Sequence, residues 1–188
     1  MKVALSSVRG AFLHLFQPQE SNLGGEPKYN GTFIIEPGSA NAKILAKAVE
    51  QVAKEKWGEK ASGILAQLRK GDKVCYREEP KTNQSGDVYD GFEDAHWVSA
   101  GDKVRPTVVD WDKSPLTQAD GKPYSGCYVN VILDVWPQDN AFGKRVNASL
   151  KGVQFVKHGD AFGGGAPASA DEFDVVEAPD EELADDLV

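Results

Sequence analysis

Residues 127–136 alternate without interruption between two chemistries. Cys127, Val129, Val131, Leu133 and Val135 fall on one side; Tyr128, Asn130, Ile132, Asp134 and Trp136 fall on the other. Only an extended backbone, whose successive side chains point to opposite faces, turns that pattern into one apolar and one mixed surface. The segment reads as a strand with its back in a core and two aromatics on its front. Pro137, which has no N–H to donate, is expected to end the ladder. Asp139-Asn140 and Gly143 supply turn chemistry, and Lys144-Arg145 open the next strand. An aromatic sheet face beside a basic strand start is a natural place for a ligand.

The rest of the chain supplies partners for that strand. Residues 2–16 read as a long first strand with Val3, Leu5, Ala11, Leu13 and Leu15 on one face and Ala4, Val8, Phe12 and Phe16 on the other. Gly10 suggests a bulge or sharp bend there. Residues 29–36 form a second strand, broken by Pro37-Gly38. Residues 41–57 form the clearest helix, N-capped by Ser39 and ended by Gly58, with Ile44, Leu45, Ala48, Val49, Val52 and Ala53 in one stripe. A shorter helix covers about residues 59–69. Strands are expected again at 73–77, 88–99, 103–111 and 145–157. On the 103–111 strand, Arg105, Thr107, Val109 and Trp111 share a face. Six or seven short antiparallel strands with one main helix inserted after the second define the expected fold class: mainly β, an OB-like antiparallel barrel.

Charge divides the chain. Nine of its 29 acidic residues and none of its 21 basic residues lie in 166–188, so the net charge of −8 resolves into a body of +1 and a strongly acidic tail. Residues 1–160 are read as the domain. Residues 161–188 are read as a Gly-rich exit and a disordered tail, too charged for its hydrophobicity to fold alone. Cys75 and Cys127 have no CxxC or metal spacing and read as small buried hydrophobes in a reducing cytoplasm. No segment has the pattern of a signal peptide or a membrane span.

Catalysis finds little to work with. His14, His96 and His158 are scattered, and Walker, GxGxxG, GxSxG and HExxH motifs are missing, so no cofactor, metal or enzyme is expected. The alternative is a metal-dependent nuclease or resolvase using Asp110, Asp112 and Asp134. Binding has more support. Tyr76, Trp97, Trp111, Tyr124, Tyr128 and Trp136 fall in or beside β segments, near Lys73, Arg77, Lys103, Arg105, Lys144, Arg145 and Lys151. Bases of single-stranded nucleic acid stack on aromatic rings while Lys and Arg follow the phosphates. Half of these aromatics are expected in the core. Tyr128 and Trp136 are the preferred candidates, because the opposite face of their strand is already wholly apolar. In the tail, Asp171, Glu172, Phe173, Asp174, Glu181, Glu182, Asp185, Asp186, Leu187 and Val188 interleave acids with apolar residues. That pattern suits a partner-docking segment, or one that competes for the basic groove.

The run Tyr124-Ser-Gly-Cys-Tyr-Val-Asn, the run Gly152-Val-Gln-Phe-Val-Lys-His-Gly159, then Gly163-Gly-Gly and an acidic C-terminus, resemble a family of phage-encoded single-stranded-DNA-binding proteins once catalogued only as a domain of unknown function. The similarity runs in order over most of the chain, with Tyr124, Gly126, Tyr128, Gly152, Gln154 and Gly159 among the matching positions. The resemblance implies an OB-fold, sequence-tolerant ssDNA binding in phage replication or recombination, and a tail that recruits replication or recombination proteins in the host cytoplasm. It leaves open whether Gly126 and Gly152 serve DNA or the fold, and whether the chain is a homodimer. The ending Leu187-Val188, rather than an aromatic, departs from some proteins of this type.

Overall fold

The computed structural model describes residues 1–20 and 25–163. Its strands are β1 (Lys2–Gln19), β2 (Lys28–Ile35), β3 (Tyr76–Arg77), β4 (His96–Asp102), β5 (Thr107–Val109), β6 (Tyr128–Asn140) and β7 (Gly143–Lys157). Two helices, α1 (Ala40–Trp57) and α2 (Ala61–Lys70), follow β2. The sheet order is β3-β4-β2-β1-β6-β7-β5. The sheet closes on itself because the segment leading into β3 reaches β7. The Cys75 N–H donates to the Val146 carbonyl (2.8 Å), and the Val146 N–H donates to that of Lys73 (3.0 Å). The ring β1-β2-β4-β3-β7-β6 is a small barrel, as expected. β5 lies outside it and runs parallel to β7, which corrects the all-antiparallel expectation.

The alternating segment behaves as its chemistry requires. Cys127, Val129, Val131, Leu133 and Val135 have no exposed surface, and burying an aliphatic side chain of this size is worth about 1.5–3 kcal/mol. Pro137, however, does not end the strand. The Val135 N–H donates to the Met1 carbonyl (2.8 Å), so position 137 points its missing N–H to the same side, past the start of β1. Proline is harmless at such an edge, and β6 continues paired with β7 as far as Asn140 opposite Gly143.

The first strand keeps its length but not its simple faces. Ser7 (φ 51°) and Phe12 (φ 50°) adopt left-handed backbone, and register shifts fall between Leu5 and Val8 against β6 and between Ala11 and His14 against β2. Each bulge moves the alternation by one residue. The buried set is therefore Val3, Leu5, Val8, Ala11 and Leu15, drawn from both predicted faces, and Gly10 is not itself the distorted residue. Two further expectations change. Val88 makes only an isolated bridge to Thr82, residues 89–95 form turns rather than strand, and only Thr107–Val109 of the 103–111 candidate pairs.

Ser39 caps α1 as predicted, its Oγ accepting from the Ala42 N–H (3.2 Å), and Gly58 ends it at φ 57°. The helix buries Leu45, Ala48, Val49, Val52 and Ala53 in the barrel core, together with Ala42 in place of Ile44, which stays exposed. No helix among the described residues is long and apolar enough to cross a membrane.

The exit from the barrel is bound to it. The Gly-rich exit was expected to begin at residue 161. Instead Arg9 donates to the Gly126 and Asp160 carbonyls (3.0 and 2.7 Å), the Tyr124 hydroxyl donates to the Gly159 carbonyl (3.0 Å), and the Phe162 N–H donates to Ser125 (3.1 Å). Gly126 (φ 111°) meets Asp160 so closely that a Cβ would overlap its carbonyl. The body thus extends at least to Phe162, and the expected disordered tail lies outside the described residues.

Candidate nucleic-acid interface

One face of the barrel carries a groove of about 1180 Å³. Its floor is the outward side of β2 and β4 (Asn30, Thr32, Trp97, Ser99) and the segment from Lys73 to Arg77. One wall is the end of the β1–β2 connection, with Gln19, Glu26 and Lys28. The other is the β6–β7 hairpin, with Trp136, Gln138, Phe142 and Arg145. Because β4 buries Val98 and Ala100, period 2 presents Trp97, Ser99 and Gly101 outward. The same rule sends Trp136, Gln138 and Asn140 outward once Val135 is inside.

The hairpin is built locally and anchored remotely. The Asn140 carboxamide oxygen accepts from the Phe142 N–H (3.0 Å), forming the Asx-type turn that leaves Ala141-Phe142 as a two-residue tip. Next to the tip, Asp139 accepts from the Trp57 indole at the end of α1 (2.8 Å) and from Lys144 (2.8 Å). These two bonds, the lysine's first, hold the Asp139 carboxyl below its usual range. Phe142 is left 90% exposed at the tip. The Trp136 indole, 39% exposed, donates to the Ser149 hydroxyl (3.1 Å), which fixes its edge and leaves a face open.

Six cationic side chains line the groove (Lys28, Lys73, Arg77, Lys81, Lys103 and Arg145), against three carboxylates. Lys103 is ion-paired with Glu26, and Arg77 with Asp72. Trp97 is only 9% exposed. Its indole donates to the Glu79 carbonyl (2.9 Å), and both Arg77 and Lys81 stand over its ring. A base reaches that ring only if one of the cations moves aside.

Of the thirteen candidates from sequence, Lys73, Arg77, Trp97, Lys103, Trp136 and Arg145 meet around this groove. The others lie elsewhere for identifiable reasons. Tyr76 is a core residue, 3% exposed, its hydroxyl 2.7 Å from His96 Nδ1, and burial pushes its pKa up to about 12. Tyr124 holds the exit segment and stacks on His158. Tyr128 shares the outward face of β6 with Trp136 but stands eight residues away, roughly 26 Å along a strand, between Arg9 and Lys157. The two preferred aromatics therefore do not form one platform. Trp111, 69% exposed, lies on the loop after β5. Arg105 covers Phe16, Lys144 pairs with Asp139, and Lys151 pairs with Asp102 (2.7 Å). Sequence reasoning passed over Lys28, Lys81 and Phe142. For Phe142 a signal existed, an aromatic placed between the turn residues Asn140 and Gly143.

The carboxylates of the nuclease alternative are occupied separately. Asp110 pairs with Lys122 (2.8 Å), Asp112 accepts from Ser114, and Asp134 pairs with the N-terminal ammonium (2.8 Å). Asp110 follows Val109, which is level with Gln154 and, through it, with Asn130; Asp134 lies four residues further along β6, about 13 Å. Among the described residues no three or more Asp, Glu, His or Cys side chains come together in a metal-holding cluster. The two cysteines are free, and desolvation raises both thiols, that of Cys75 to about 12.

A small closed barrel with helices after its second strand, and a groove over β2 and β4 flanked by the β6–β7 hairpin, is an OB-like architecture, whose sheet face serves oligonucleotides or oligosaccharides in proteins of this type. The chain belongs to the family described as Enterobacter phage Enc34, ssDNA-binding protein, whose model matches residues 1–188. It is 40% identical over 185 residues, 97% of each chain, to putative protein p50 of Acyrthosiphon pisum secondary endosymbiont phage 1. Its fold resembles the single-stranded DNA-binding protein from bacteriophage Enc34 (TM-score 0.66, 25% identity, covering 92% of this chain and 90% of that one). It also resembles that protein in complex with ssDNA (TM-score 0.70, 24% identity, covering 86% and 89%).

Proposed function

We propose that this protein binds single-stranded DNA, without regard to sequence, in the groove between the β1–β2 connection and the β6–β7 hairpin. The observation that carries this reading is the pairing in one groove of exposed ring faces, Trp136 and Phe142, with the cations Lys28, Lys73, Lys81 and Arg145. Ring faces accept any base and cations follow any phosphate, so the arrangement favours a strand over a sequence. Membership of a phage ssDNA-binding family supports the same conclusion, as does a body more basic than the whole chain. The protein acts by holding DNA rather than by cutting it, in replication or recombination in the cytoplasm of a phage-infected cell.

The acidic residues 171–188 serve as a docking segment for replication or recombination proteins, or as a competitor for the groove; their alternation of carboxylates with Phe173, Leu187 and Val188 supports this. Quenching of tryptophan fluorescence on titration with oligo-dT tests the reading. Binding that weakens steeply with salt is expected, because displaced counterions accompany each phosphate contact. Equal or greater affinity for duplex DNA would overturn it.

A further inference from the structure

A second aromatic site adjoins the groove. Phe12 occupies left-handed backbone in the middle of β1, a region bulky residues rarely enter and which stores strain. The consequence is a ring turned out of the barrel, 40% exposed. It stands edge-on to Tyr89 with centroids 5.0 Å apart and lies 6.2 Å from Phe92. Between these rings, Ala11 and Phe162 opens an apolar cavity of about 270 Å³, with Asp90 and Ser125 as its polar members. Its size suits a single heterocycle rather than a drug-sized ligand.

A cation of the groove stands near the Phe12 ring of the cavity. Lys81 lines the groove, and its Nζ lies 4.1 Å from the centroid of Trp97 and 5.8 Å from that of Phe12. A phosphate drawn to Lys81 would leave the attached base within reach of either ring. Asp90 and Ser125 add hydrogen-bonding groups for a base edge, which an aliphatic occupant would leave unused.

We propose that this cavity is a second base-binding site, taking one unstacked nucleobase of the strand that passes Lys81 on leaving the groove, with Phe12 as its stacking partner. The proposal rests on the groove reading above, and its test separates the two. Affinities for an oligo-dT length series are compared for the wild type, Trp136→Ala, Phe12→Ala and Phe12→Leu. Trp136→Ala is expected to weaken binding at every length. Phe12→Ala and Phe12→Leu are expected to match the wild type on the shortest oligonucleotides and to lose roughly 5- to 150-fold on longer ones, the value of one stacked base. The leucine variant keeps an apolar side chain beside Tyr89 and Phe92, and thermal melting of each variant establishes that it is folded before titration. Equal affinity of wild type and Phe12→Leu at all lengths overturns the second site alone; failure of the wild type to bind oligo-dT overturns both. On the unmodified protein, 5-iodouracil near one end of a long oligonucleotide is expected to photocrosslink to Phe12 or Tyr89. No crosslink, with Tyr89 becoming reactive to iodination only after deletion of residues 164–188, would give the cavity to the chain's own tail and overturn the proposal.

Discussion

The ammonium of Lys81 stands 4.1 Å from the centre of the Trp97 ring, and Arg77 shares that ring from 5.2 Å. A cation over an indole face is attracted by the ring's quadrupole, yet here it is also partly buried beside a second positive charge. Burial first, and then Arg77, lower the Lys81 pKa.

DNA affinity should therefore decline in alkaline buffer before the ordinary lysine range, about 10.4, is reached. Below its lowered pKa, Lys81 is charged and attracts phosphate; above it, the attraction is gone. Lys81→Arg, which does not titrate, should bind evenly across that range in fluorescence titrations. Because the folded pKa lies below the unfolded one, the charged lysine opposes folding at neutral pH and ceases to as pH rises. Lys81→Met should accordingly raise the neutral-pH melting temperature while weakening DNA binding.

Trp136→Ala and Phe142→Ala should each weaken oligo-dT binding by about 1–3 kcal/mol if each ring carries one base. Phe142, 90% exposed, should leave the melting temperature unchanged within the roughly 0.5 kcal/mol typical of surface substitutions. Isothermal titration and thermal melting of the same samples separate the two effects.

Tyr76 should behave in the opposite way. Its ring is buried among the barrel's apolar residues and its hydroxyl meets His96, so Tyr76→Ala should cost about 3–5 kcal/mol of stability. Tyr76→Phe removes only the hydrogen bond, about 1 kcal/mol, and should leave DNA affinity unaltered. A loss of affinity in this folded variant would return Tyr76 to the binding surface.

Gly126→Ala should release the exit segment. The backbone conformation disfavours a side chain, and the new methyl would overlap the Asp160 carbonyl. Hydrogen exchange at the Phe162 amide, which donates to Ser125, should accelerate far more than exchange in β6.

Acid should expose the pair between β4 and β7. Partial burial pushes the Asp102 carboxyl up, but the bonds from Lys151 and the Val104 N–H outweigh it and hold the pKa below the usual range. The stability this adds is complete above about pH 4, the unfolded carboxylate value, and is lost as pH falls through the lower folded one. Asp102→Asn should be less stable at neutral pH and should show a shallower acid limb in denaturation against pH.

Much of the architecture was legible because it depends on local periodicity. The 127–136 alternation, the Ser39 cap and Gly58 stop of α1, and the turn at Asn140 each write a geometric requirement into neighbouring residues. The two bulges in β1 were not legible, since Ser7 and Phe12 are not residues that signal left-handed backbone. Nor was the persistence of β6 past Pro137, which depends on how far the neighbouring strand reaches. The groove was half legible. Trp136 and Arg145 followed from strand position, whereas separating Trp97 from Tyr76 required knowing which way a two-residue strand turns. The sharing of Trp97 between Arg77 and Lys81 joins residues up to 20 positions apart and has no sequence pattern at all.

Among the described residues the barrel's seam between the segment leading into β3 and β7 is one β-bridge, where Val74 meets Val146. Its margins, residues 73–75 on one side and 145–148 on the other, are also part of the groove. Whatever occupies the groove therefore touches both margins and resists their parting, as a suture does. Ligand occupancy and barrel integrity become one linked equilibrium, in which a filled groove protects the fold at that join.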